Sequence, residues 1–231
     1  MGVELEARGI RRRLGLHHNP DTLQNTTLIL RTVGPGAATL ARLEPELQAF
    51  RADAVLVTGL AGGCAPTIAS GEVVVGSAVG PTSGGEWMTP DPRLLTRAMR
   101  ALEGASLPYR TGRLLTVRDV VETPSAKADC WRTHAAVAVD MEGAHVLAWA
   151  ARVGLPALAV RVVADGPADT LPSALARAVG PRGEVRVSTV LGWMGRPALL
   201  PAAWRIWRRS SVALDRLARF LAAFTRTPVE P

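Results

Sequence analysis

The chain contains one lysine, Lys127, and two cysteines, Cys64 and Cys130, in 231 residues. The cysteines have no CxxC spacing and no histidines at ligand distance. That excludes a disulfide scaffold, predicts no metal site, and leaves them as small apolar residues of a reducing compartment. No apolar run approaches the ~20 residues that a membrane-spanning helix needs. The N-terminal stretch carries Arg11, Arg12 and Arg13 beside Glu4 and Glu6 but lacks an apolar segment. A secretory signal is therefore not supported, and the expected location is the cytoplasm. With lysine so scarce, the net charge of +7 rests almost wholly on arginine. Those arginines are scattered, in a chain rich in Ala, Gly and Pro, which fits a codon-composition bias better than a nucleic-acid footprint. Nucleic acid is not an expected partner. No G-x-G-x-x-G opens a helix and no Lys-Ser/Thr follows a glycine loop, so neither a dinucleotide fingerprint nor a P-loop is present.

What is present is a large apolar fraction, nearly half of the residues, punctuated by 22 glycines and 17 prolines. The length suits one generous α/β domain spanning 1–231, with 186–227 as a helical extension of the same domain. Short strands are predicted at Leu28–Leu30, Ala54–Val57, Glu72–Val79, Arg113–Val117, Ala136–Val139 and Ala157–Val163. Helices are predicted at Ala38–Phe50, kinked near Pro45, at Asp91–Leu102 and at Glu142–Val153, the last ended by Gly154 and Pro156. Strand–helix alternation predicts a single three-layer α/β domain with a mostly parallel, mixed central sheet, helices on both faces and a helical C-terminal tail. In such sheets ligands bind at the carboxyl ends of strands.

Three segments fall at those ends. Thr58-Gly59-Leu60-Ala61-Gly62-Gly63 reads as a glycine-rich turn whose backbone can approach a ligand. Asp140-Met141-Glu142 lies between a strand and a helix. Glu142 could be a helix-start carboxylate, or it could accept hydrogen bonds from a vicinal diol such as the 2′ and 3′ hydroxyls of a ribose. Arg161 and Asp165 close a third strand. Asp165 suits a loop-entry cap or a general acid with a raised pKa, and Arg161 suits an ion pair or an anchor for an anion or a nucleophile.

Thr58 to Thr67 with Gly71-Glu72-Val73-Val74-Val75, and Val139-Asp140-Met141-Glu142 with Val160-Arg161…Asp165, resemble in order and spacing the signature of the nucleoside phosphorylase and nucleosidase superfamily. Thr123-Pro124…Lys127, the Asp-Met-Glu form, Leu171-Pro172 and the proline-interrupted tail are most similar to its hopanoid-associated members, which act on adenosylhopane. The resemblance implies a fold of the nucleoside phosphorylase type and cleavage of the N-glycosidic bond of an adenine riboside. The alternatives are a methylthioadenosine/S-adenosylhomocysteine or futalosine nucleosidase, and a non-catalytic membrane-associated or nucleoside-sensing relative. It further implies that Glu142 binds the ribose hydroxyls over Met141, that Asp165 protonates the departing purine, and that Arg161 orients the nucleophile. Glu6, in a segment resembling the family's N-terminal motif, would activate water. Thr58, Gly59, Gly62 and Gly63 would line the substrate.

No cofactor is expected, with phosphate as the one conceivable co-substrate. Leu60 and Val57 stand where phosphorylases carry a phosphate-binding serine and an arginine, which leans toward water. Ala164 replaces the serine that precedes the acid. The family's first strand lies upstream of the Glu6 segment and is expected to be missing, through a misassigned start or a truncated copy. The family implies a dimer or larger homo-oligomer. Trp193, Trp204 and Trp207, flanked by Arg196, Arg205, Arg208 and Arg209, are either the last core helices or an interfacial surface giving peripheral contact with a membrane.

Overall fold

The computed structural model describes residues 4–16, 21–23, 26–33, 37–49, 52–171 and 200–228. In chain order the elements are α1 (Glu4–Leu14), β1 (Asp21–Leu23), β2 (Thr26–Leu28), α2 (Ala37–Ala49), β3 (Val55–Gly63), β4 (Val73–Pro81) and α3 (Pro92–Gly104). They continue with β5 (Tyr109–Thr116), α4 (Pro124–His134), β6 (Ala136–Asp140), α5 (Gly143–Arg152), β7 (Ala157–Asp165) and α6 (Leu200–Arg226). Strands β3 to β7 form one mixed sheet in the order β3-β6-β5-β4-β7, and β7 pairs back onto β3 to close a barrel. The β3–β7, β4–β5 and β5–β6 pairs are parallel, and β3–β6 and β4–β7 are antiparallel. The expected mixed α/β architecture is present, with its two sheet edges joined.

The strands read as near-continuous apolar runs because both faces are covered. Every position of β6 is buried. Period-two alternation sorts the faces. Val73, Val75, Leu158, Val160 and Val162 join a core with residues of α1, α3 and α6. Val74, Ala159 and Val163 join a second core with Leu40 of α2 and Val146, Leu147 and Trp149 of α5.

Local signals start helices α3 and α4. Asp91 caps α3, its carboxylate accepting from Arg93 N at 2.9 Å and Leu94 N at 3.0 Å, with Pro92 in the first turn. Thr123 caps α4 through Ala126 N at 3.2 Å, again with a proline next in line, and Ala135 ends that helix in the left-handed conformation at φ 51°. Helix α6 presents an apolar stripe to the core: Leu214, Leu217, Leu221 and Phe224 are buried while Asp215 and Arg219 face solvent. Complete burial of Leu217 and Phe220 contributes roughly 1.5–3 kcal/mol each.

Several boundaries differ from the sequence expectation. The Gly-rich segment is no turn. Thr58 to Gly63 continues β3, hydrogen-bonded to β7 on one side and β6 on the other. Glycine occurs there because neighbouring side chains fill the space where a Cβ would lie. A Cβ on Gly63 would come within 2.7 Å of Ile68 Cγ2. Helix α2 runs through Pro45 to Ala49. The strand expected at Leu28–Leu30 is β2, ending at Leu28 and, among the described residues, paired only with β1, while Leu30 packs half-buried on the first core. Pro201 lies in the first turn of α6, where a missing N–H costs nothing. The predicted segments between 172 and 199, including Trp193 and Arg196, lie outside the described residues, as do the side chains of Trp204, Arg205 and Trp207. Among the described residues no helix is long and apolar enough to cross a membrane.

Candidate active site

Two polar clusters are set into this apolar sheet. The first is organised by Arg161, which lies mid-strand in β7 and is 1% exposed. Its Nε donates to Asp140 Oδ2 at 2.8 Å, and its Nη2 lies 2.6 Å from the same oxygen and donates to Glu142 Oε2 at 3.1 Å. Asp140, the last residue of β6, also accepts from Thr116 Oγ1 at 2.7 Å and from Gly143 N at 3.1 Å. Thr116 Oγ1 in turn accepts from Ala144 N at 2.8 Å. The start of α5 is thus satisfied by Asp140 and Thr116, and Glu142 makes no capping bond with its side chain. The helix-start role open to Glu142 belongs to its neighbour instead. One guanidinium against two carboxylates leaves a buried acceptor surface at a strand end, which fits hydroxyl donors.

The second cluster is organised by Asp165, the last residue of β7. Lys127 of α4, with no exposed surface, donates through Nζ to Asp165 Oδ2 at 2.5 Å, to Gly166 O at 2.8 Å and to Asp169 O at 2.8 Å. The Asp169 carboxylate accepts from Gly166 N at 2.7 Å and pairs with Arg209 of α6. Burial pushes the Asp165 carboxyl above the usual carboxylate range, against the opposing pull of Lys127. Arg209 holds Asp169 below that range. Cys64, between the clusters, is pushed up to about 12, mainly by burial, so it is an inert thiol.

Strand β3 joins the clusters. Gly62 pairs with Val139 of β6 and, across a register shift, with Asp165 of β7. A Cβ there would lie 3.2 Å from Val139 Cγ2 and 3.4 Å from Asp165 Oδ2. Glu142, Arg161, Asp165, Gly62 and Gly63 therefore gather at one end of the sheet. Met141 is half-buried, packed against the small core of Cys64, Leu115, Val117, Ala136 and Val139. Gly59 pairs with Arg161 in register. Thr58 does not join: it pairs with Val160, whose side chain enters the first core, so its hydroxyl lies on the face away from Arg161 and has no partner among the described residues. Glu6 falls in α1, and its side chain is outside the described residues. Also among the described residues, no group of three His, Cys, Asp or Glu converges to hold a metal.

Carboxylates thus gather at strand ends of a mixed α/β barrel, Asp140 and Glu142 held by a buried arginine and Asp165 desolvated. The profile of the Phosphorylase superfamily matches residues 22–191. The chain belongs to that superfamily and is an enzyme of its N-glycosidase/phosphorylase type. Comparison with curated proteins gave no match. Solved structures share the fold. Futalosine hydrolase of Helicobacter pylori strain 26695 superposes with a TM-score of 0.73 at 14% identity, over 97% of this chain and 94% of that one. The 5′-methylthioadenosine/S-adenosylhomocysteine nucleosidase of Neisseria meningitidis, in complex with methylthio-immucillin-A, gives 0.74 at 17%, over 98% and 96%. A mutant of the H. pylori nucleosidase with 5′-methylthioadenosine in its active site gives 0.70 at 14%, over 97% and 95%.

Sequence reasoning missed Asp140, Thr116, Lys127 and Asp169 as site residues. Asp140 left one signal, a carboxylate closing an otherwise apolar strand. Lys127 left another, being the only lysine in a chain that otherwise carries its positive charge on arginine. Thr116 left none.

Proposed function

We propose that the protein cleaves the N-glycosidic bond of a purine riboside with water, in the manner of a methylthioadenosine/S-adenosylhomocysteine or futalosine nucleosidase. The observation that carries this is the gathering of a carboxylate anchored by Arg161, Glu142, and a desolvated carboxyl, Asp165, at one end of the sheet. The bond breaks through an oxocarbenium-like state, so a group that protonates the base and a group that grips the sugar are its two requirements. Asp165 supplies the proton to N7 of the leaving purine. Lys127 occupies Oδ2, so Oδ1 carries that proton. Glu142 accepts from the ribose hydroxyls, with Met141 beneath the sugar. Arg161 fixes Glu142 and faces the nucleophile, and Glu6 activates it. Leu60 and Val57, both apolar, favour water over phosphate.

A narrower substrate, adenosylhopane, is favoured by one feature. The Thr123-Pro124…Lys127 segment, which resembles the hopanoid-associated members, is the capped helix start that brings Lys127 to the acid. The deciding assay is chromatographic release of free purine base from 5′-methylthioadenosine, S-adenosylhomocysteine, futalosine and adenosylhopane, with and without phosphate. Release in phosphate-free buffer is expected. Release that requires phosphate would replace water by phosphate as nucleophile, and no release from any of the four would overturn the nucleosidase reading.

A further inference from the structure

We propose that Lys127 is a positioning residue of this site, a buried ammonium that fixes one oxygen of Asp165 and ties the acid to the turn behind it. The proposal rests on the reading of Asp165 as the acid that protonates the leaving base. Three N–H groups meet three acceptors, Asp165 Oδ2, Gly166 O and Asp169 O, so the ammonium is fully satisfied without water. The residue beside the acid, Ala164, has no polar side chain. Its carbonyl is held from outside by Ser70 Oγ at 2.7 Å. Stability alone is a weak reason for such a pair, because a buried ion pair seldom outperforms apolar residues of the same volume. What the pair does supply is a fixed orientation: Oδ2 faces Lys127, and Oδ1 is left for the base.

The groups acting on Asp165 come from every side. Lys127 of α4 favours the charged carboxylate, while Asp169 in the turn and burial favour the neutral acid. Cys64 after β3 interacts with both Asp165 and Lys127, and Arg209 of α6 acts mainly through Asp169. Removal of the ammonium therefore moves the acid further in the direction that burial already drives it, and frees its orientation.

The experiment compares the full chain with Lys127→Gln and Lys127→Met. In pH profiles of purine release, activity falls as pH rises through the titration of Asp165. That falling limb is expected at higher pH in both variants, and kcat/KM on the plateau below it is expected to drop about 100-fold through misorientation. Lys127→Gln, which still donates a hydrogen bond, is expected to lose less on the plateau than Lys127→Met. If either variant fails to fold, Lys127→Met/Asp165→Asn, which removes both charges, is expected to restore folding. Failure of the double variant as well would overturn the pairing. An unmoved limb with a plateau near that of the wild type would also overturn the proposal. If the wild type releases no base from any riboside, the nucleosidase reading fails separately. The ¹³C titration of the Asp165 carboxyl then decides: a midpoint that rises in Lys127→Gln supports the clamp, and an unchanged one refutes it.

Discussion

At the residue scale the site depends on which carboxylate holds which partner. Arg161 serves both Asp140 and Glu142 from a position with almost no solvent contact. Arg161→Met strands two buried carboxylates and is expected to destabilise the fold by about 3–5 kcal/mol, read from urea midpoints. Asp165→Asn keeps the volume and a hydrogen-bonding group but cannot deliver a proton. Its purine release is expected to fall by about 10²–10⁴, with a thermal midpoint that shows it folded. Gly143 packs its Cα onto the Asp140 carboxylate with no room for a methyl group. Gly143→Ala is expected to lower stability and activity together, and a variant matching the wild type in both would refute the packing. Arg161 and Asp165 were legible in the sequence because one interrupts and the other closes an apolar strand with a charge, and Glu142 because it puts a charge between an apolar strand and a helix. Thr116 was not, and Lys127 showed only as the single lysine, without its partners. Their roles depend on α4 and β5 meeting β7 and α5, contacts between segments tens of residues apart.

At the element scale, strand and helix order followed from apolar periodicity and from punctuation such as Asp91-Pro92 and Gly154. The glycine-rich segment was misread as a turn for a physical reason. Glycine marks close approach of neighbouring chains as readily as it marks a bend, and only the partners in β6 and β7 distinguish the two. Barrel closure was illegible as well, since it depends on which strand edges meet. The N-cap of α4 offers a clean test of how element and site connect. Thr123→Ala and Asp91→Ala remove equivalent caps, each worth about 1 kcal/mol. Both are expected to lower the thermal midpoint similarly. Only Thr123→Ala should also reduce purine release, because α4 carries Lys127 to the acid while α3 carries no site residue. Equal loss of activity in both would sever that link.

At the scale of the whole molecule, α6 is part of the core rather than an appended tail. Phe220 and Leu217 are fully buried among residues of α1, α3 and the sheet, and Arg209 on the same helix pairs with Asp169 behind the acid. Leu217→Ala is expected to cost about 2–5 kcal/mol, and unfolding followed by tryptophan fluorescence and by far-UV circular dichroism should give one coincident transition. Two separated transitions would make the helical segment a unit of its own. The central claim, that this superfamily member releases a purine from its riboside by acid catalysis at Asp165, is tested most directly by one assay. Wild type and Asp165→Asn are compared for free-base release from 5′-methylthioadenosine, the other candidate nucleosides and adenosylhopane in phosphate-free buffer. The prediction is sustained release by the wild type from at least one of them and a loss of about 100-fold or more in the variant. Equal rates from the two proteins, or no base released by either, would contradict it.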